Sequence, residues 1–174
     1  MATIIKSTLT FVLSNFSLAF FVVSLVASLV AIARLPRPFP PGAVVEKLLF
    51  WHLLVALGFT YLYGAVCHLF FGAMAAAFIG WPDSPFQFEV GIANLAFAVM
   101  SFIAAFASLT ARSITIVGSA VFLLGAAAGH IYQMVTTHNF APGNAGVVFY
   151  TDLLLPLYGL VLIWLKGREP RTSM

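Results

Sequence analysis

The sequence predicts an all-α integral membrane protein, a bundle of five spanning helices. Three observations carry that prediction. Of 174 residues, 62% are hydrophobic and 7% charged, whereas soluble domains carry about 25% charged residues, so this chain cannot present a water-compatible surface. Five stretches are apolar over roughly the 20 residues that a helix needs to cross the hydrocarbon core. The basic residues fall between or beyond those stretches, with a consistent bias to one side.

The first span is predicted over about Leu9 to Ala33. Its apolar run exceeds the roughly 7–15 residues of a signal-peptide core, so it is read as a retained helix. Pro36, Pro38, Pro40 and Pro41 make the first connection stiff and extended. The second span, about Lys47 to Phe71, places Gly58, Tyr61, Ala65, His68 and Gly72 on one face, which is expected to pack against protein. The second connection, Gly72 to Phe88, contains "MAAAFIGW", too apolar for a solvated loop, followed by "PDSP", which cannot continue a helix. A short interfacial or re-entrant element is therefore expected between helices 2 and 3, with Trp81 at headgroup level.

The third span, about Val90 to Leu109, repeats Asn94, Ser101 and Ser108 every seven residues beside Gly91, Ala98 and Ala105. The fourth, about Ile114 to Thr136, carries the small-residue pair Gly125 and Gly129, expected to bring a neighbouring helix close. A polar stripe of His130, Gln133, Met134 and Thr137 begins at the same level. The connection "NFAPGNAG" reads as a compact turn. The fifth span, about Val147 to Leu165, contains Pro156, which cannot donate to the carbonyl of Asp152. A kink is expected there, leaving a free carbonyl beside a carboxylate. The whole chain, 1–174, reads as one transmembrane domain.

Orientation follows from Lys and Arg placement. Arg34, Arg37, Lys47, Arg112, Lys166, Arg168 and Arg171 all agree with the N-terminus outside and the C-terminus in the cytoplasm; Lys6 alone disagrees. On that topology the polar residues gather in the extracytoplasmic half. His68, Glu89, Asn94, His130, Gln133 and Asp152 form the expected buried cluster, because an ionisable group inside a membrane is costly unless it is partnered or used. His52, Glu46 and Glu169 belong to the cytoplasmic side. His52 lies roughly 24 Å along the helix from His68, so the two cannot share a site. Trp51, Trp81 and Trp164 are expected as interfacial anchors, Asp83 as a turn residue and His138 as solvated.

The stretch from Ile79 to Leu95, "IGWPDSPFQFEVGIANL", resembles an uncharacterised family of small bacterial integral membrane proteins, as do Gly129-His130 and "APGNAG" followed by Asp152. The resemblance implies a multi-pass protein of the bacterial inner membrane and assigns no reaction.

Three functional readings of the cluster stand side by side. In the first, the polar side chains bond one another and fix helix packing, making the chain a structural or accessory component that self-associates or joins a larger membrane complex. In the second, His68, Glu89, His130 and Asp152 supply N and O ligands to a transition metal such as Zn, Fe or Cu, with Cys67 and Met134 as additional donors for Cu(I). Two histidines on separate helices would equally serve a haem. In the third, the same groups line an oligomeric channel or carrier for a small solute or ion. A membrane enzyme finds no nucleophile motif to support it. The basic residues form no patch interleaved with aromatics, which speaks against nucleic acid. With Cys67 as the single cysteine, no intrachain disulfide can form.

Overall fold

The structure, a computed structural model, describes Phe11 and residues 14–168 and is helical almost throughout them. The expected start of the first span at Leu9, and the residues Lys6, Glu169 and Arg171, lie outside the described residues. We number the helices α1 Phe16–Ala33, α2 Ala43–Phe70, α3 Gly72–Ile79, α4 Phe86–Ala105, α5 Leu109–Thr137 and α6 Pro142–Gly167. Five of them (α1, α2, α4, α5 and α6) are long and apolar enough to cross a bilayer. The eight-residue α3 sits where the element between the second and third spans was expected.

Local chemistry places the helix ends. α4 starts at Phe86, four residues before the expected Val90, because Pro85 has the helical φ of −55° and opens the helix without needing a donor. It stops at Ala105. Ser108, expected to extend the polar stripe of that span, instead caps α5: its hydroxyl oxygen accepts from the Ala111 N–H at 3.4 Å. α6 begins at Pro142 with a single turn, Pro142–Ala145, breaks at extended Gly146, then runs from Val147 to Gly167. Within α2 the stretch His52–Leu57 is wound as a π-helix, a form that widens the backbone and marks special sites more often than ordinary ones.

The spans pack as two close pairs with α1 laid across them. In the α2–α4 pair, a Cβ placed on Gly91 would lie 2.7 Å from the Leu69 side chain, and one on Gly58 would lie 2.5 Å from the Phe102 ring. Only glycine permits that approach. In the α5–α6 pair, a Cβ on Gly159 would meet Ile116 at 3.1 Å and His52 Nε2 at 2.9 Å. The core between the pairs holds Leu49, Leu53, Leu57, Tyr61, Ile116, Leu155 and Leu162, all nearly inaccessible. The Tyr61 hydroxyl lies 2.6 Å from that of Ser119, joining α2 to α5. α1 is fastened to α6 by Ser17 Oγ and Thr151 Oγ1 at 2.7 Å, and by Phe21 edge-on to Tyr158 at 5.3 Å.

A partly buried polar clamp closes one end of the bundle. Arg112 pairs with Glu46 at 2.5 Å, and its Nε and Nη2 donate to the carbonyls of Ala104 and Ala105 at 3.2 and 2.9 Å. These are C-terminal carbonyls of α4; that of Ala104 also accepts from the Ala107 N–H at 3.0 Å. Lys166 Nζ lies 3.6 Å from Glu46 and donates to the Gly42 carbonyl at 3.2 Å. Arg112, which the sequence presents only as a flanking charge, is buried and ties α2, α4 and α5 together. Glu46 gives α6 its link to the same clamp.

Candidate functional site

At the opposite end the helices enclose a cavity of about 830 Å³, lined by residues of all six helices. Its wall is mostly apolar. Its polar side chains are Ser14 and Ser17 at the start of α1, Thr60, Tyr61, Tyr63, Cys67 and His68 from α2, Trp81 from the α3–α4 connection, Gln87 and Asn94 from α4, His130 from α5 and Asp152 from α6. A largely apolar pocket with a handful of placed polar groups is the usual form of a small-molecule site. α3 closes it at one end through Met74, Ala75, Phe78 and Ile79. Met74 on α3, Phe86 on α4, and Val121 and Gly125 on α5 line it and are also exposed.

The polar end is built around one buried amide. Asn144, wholly inaccessible, donates from Nδ2 to the carbonyls of Asn139 and His130 at 2.8 and 3.2 Å. Its NH₂ group is thereby spoken for, which leaves Oδ1 facing His130 Nδ1 at 2.7 Å. An amide oxygen only accepts, so His130 carries a proton on Nδ1. The other ring nitrogen, Nε2, lies 3.6 Å from Asp152 Oδ2. The Trp81 ring stands 6.0 Å from the His130 ring. Asn139 in turn donates to the Ile79 and Gly80 carbonyls at 3.0 and 3.3 Å, which ties the end of α3 to the same network. Gly80, at φ +77°, supplies the left-handed turn that brings those carbonyls there.

His68, Asn94, His130 and Asp152 thus come to the wall of one cavity. His68 Nδ1 is 2.7 Å from Gln87 Oε1, and Asn94 Nδ2 donates to the Val90 carbonyl at 2.9 Å. Glu89 is not with them: it is exposed and takes no part in the wall. The reason is helical phase. Gln87, Gly91, Asn94, Ala98 and Ser101 are the buried face of α4, and Glu89 lies two residues from both Gln87 and Gly91, about 200° around the helix from each. Gln133 is half-buried and off the wall, its Oε1 accepting from Thr137 at 2.9 Å. Met134 also lies off the wall, while Cys67 lies on it. With Glu89 turned away, His68, Glu89, His130 and Asp152 do not form a ligand set. Among the described residues no group of three or more His, Cys, Asp or Glu side chains is arranged to hold a metal ion.

Gly125 and Gly129 have a different place from the one expected. No heavy atom lies within 4 Å of a Cβ built on either. Within the chain they bring no helix close, and instead leave room in the cavity wall.

Several site residues escaped the sequence reading. Trp81 was read as an interfacial anchor and Asn144 as a turn residue, although both stand in the stretches that carry the family resemblance. Among the described residues, Trp81 Nε1 and Thr60 Oγ1 are buried polar atoms on the cavity residues without a hydrogen-bond partner. His52, assigned to the other end, is also fully buried, its ring edge-on to Tyr158 at 5.1 Å. Neither of its ring nitrogens reaches good hydrogen-bond geometry, the Leu155 carbonyl being an acceptor the ring approaches.

Five helices long and apolar enough to cross a bilayer make this a multi-pass membrane protein. The chain belongs to a family of unknown function, DUF6790, whose sequence profile matches residues 14–172. No curated protein and no solved structure matches it.

Proposed function

We propose that this protein binds a small, mostly apolar molecule drawn from the bilayer, held in the cavity with its polar end at His130, Asp152 and Trp81. The observation that carries this reading is the cavity itself, about 830 Å³ with a mostly apolar wall. A volume of that size falls within the range of small-molecule sites. The bias of basic residues to the Arg112 end supports a cytoplasmic C-terminus, which would put the cavity in the extracytoplasmic half. A C-terminal fusion to a reporter active only in the cytoplasm checks that orientation, and an inactive fusion would reverse it.

Binding is tested with tritiated dodecan-1-ol on protein in lipid nanodiscs, by scintillation proximity. The expected result is saturable binding of one molecule per chain, lost in Gly129→Leu. That variant adds a side chain at a lining position where nothing lies within 4 Å of a Cβ, and its melting temperature is compared with the parent's to show that it folds. Binding that never saturates, or that Gly129→Leu leaves intact, would remove the cavity as the site.

A further inference from the structure

Resting on that reading, we propose that the cavity selects a neutral lipophile whose polar end is a hydroxyl, donating its proton to Asn94 Oδ1 or Asp152 Oδ1. The fixed polar groups of the wall lead there. Side-chain hydroxyls turn to donate or to accept and so favour neither kind of partner. An amide or carboxylate oxygen has no such freedom.

Asn94 offers one such oxygen. Its Nδ2 donates to the Val90 carbonyl at 2.9 Å, which sets Oδ1 on the other branch of the amide, an atom that only accepts. Gly64 leaves room for it, since a Cβ there would lie 3.1 Å from Oδ1. Among the described residues no side-chain or backbone donor reaches this oxygen, and it is not one of the inaccessible unpartnered atoms. It therefore stands open on a residue of the cavity wall.

Asp152 offers a second. Asn144 keeps a proton on His130 Nδ1, and His130 Nε2 faces Asp152 Oδ2 at 3.6 Å. A bare nitrogen opposite an ionised oxygen would set two acceptors face to face, so one proton lies between them. Whether nitrogen or oxygen carries it, that proton is spent within the pair and Oδ1 keeps only lone pairs. Like the Asn94 oxygen, it has no donor among the described residues and is not closed off. The Trp81 indole N–H, which can only donate, is inaccessible and takes no part. His68 and Gln87 do not tip the balance. Bonded through Nδ1 and Oε1 at 2.7 Å, they present both a free donor and a free acceptor whichever way the amide lies.

Charge narrows the class further. The His130–Asp152 pair with its one proton has no net charge, and no Lys or Arg lines the cavity. An ammonium would enter uncompensated, and a phosphate or carboxylate would meet acceptors without a countercharge. A ketone, ester or ether oxygen would face the same acceptors with no proton to give. A hydroxyl on an apolar chain donates, carries no charge and lets the chain lie along the apolar wall.

The test compares four tritiated probes in nanodiscs, at equal content of the bilayer: dodecan-1-ol, its isomer 1-methoxyundecane, dodecane and dodecylammonium. The ether keeps the acceptor oxygen of the alcohol and lacks its O–H. Dodecan-1-ol is expected to bind about fivefold more tightly than each of the other three, the effect of one net hydrogen bond. In Asn94→Leu or in Asp152→Leu, each checked for folding by its melting temperature, the alcohol-to-ether ratio is expected to fall to about one, and the variant that does so identifies the accepting oxygen. Ether equal to alcohol in the parent, a preference for dodecylammonium, or a ratio unchanged in both variants would overturn the hydroxyl assignment and leave the cavity standing. No Gly129→Leu-sensitive binding of any probe would overturn the cavity reading as well.

Discussion

Asn144 serves three partners with one amide, and the site depends on it. It orients His130 through Nδ1 and donates to the Asn139 carbonyl in the connection between α5 and α6 and to the His130 carbonyl within α5. Removing a buried partner costs about 1–3 kcal/mol for each group left unsatisfied. Asn144→Ala should therefore destabilise the protein by about 3 kcal/mol, read as a lower melting temperature in mild detergent; a change below about 0.5 kcal/mol would mean that the network is slack. At this scale the sequence was informative where residue type is rare in its setting. His130 and Asp152 stand out because titratable side chains seldom occur inside apolar runs. Trp81 and Asn144 do not, since tryptophan is ordinary near an interface and asparagine is ordinary in a turn. Glu89 was misplaced for a reason that phase alone exposes: once α4 begins at Phe86, its buried face passes through Gln87 and Gly91 and leaves Glu89 opposite.

Helix-level behaviour turns on which glycines touch a neighbour. Gly91 is pressed against Leu69 and Gly143 against Phe78, where a Cβ would lie 2.6 Å from the ring and 2.8 Å from the backbone oxygen. Gly125 touches nothing within 4 Å. Gly91→Ala should therefore cost about 1–3 kcal/mol through overpacking, whereas Gly125→Ala should stay within about 0.5 kcal/mol of the parent. Parallel thermal melts in detergent decide between this pattern and its reverse. The five spans were legible because hydrocarbon thickness dictates their length, and α3 because its residues were too apolar for a solvated loop. The π-helical stretch His52–Leu57 left no comparable mark. It depends on how α1, α4 and α6 pack around α2, and none of those contacts is local in sequence. The Gly125/Gly129 pattern meets no helix of its own chain, since a small residue allows close approach without requiring it.

On the scale of the whole molecule the two ends of the bundle contrast. One is locked by Arg112, Glu46 and Lys166, with α4 carbonyls satisfied by the guanidinium. The other is a cavity closed by α3, which a chain of asparagines connects to His130. That division assigns rigidity to the first end and binding to the second. No local pattern predicts the cavity, because it is what remains after the helix pairs have packed. The central claim is that a lipophile occupies it with its head group beside Trp81. The most direct measurement is fluorescence quenching of protein carrying Trp51→Phe and Trp164→Phe, which leaves Trp81 as the single tryptophan, by 1-bromododecane in nanodiscs. The account predicts saturable quenching at one site per chain, lost when Gly129→Leu is added. Quenching that rises linearly with probe and is the same in both proteins would show that Trp81 meets only bulk lipid, and would contradict the account.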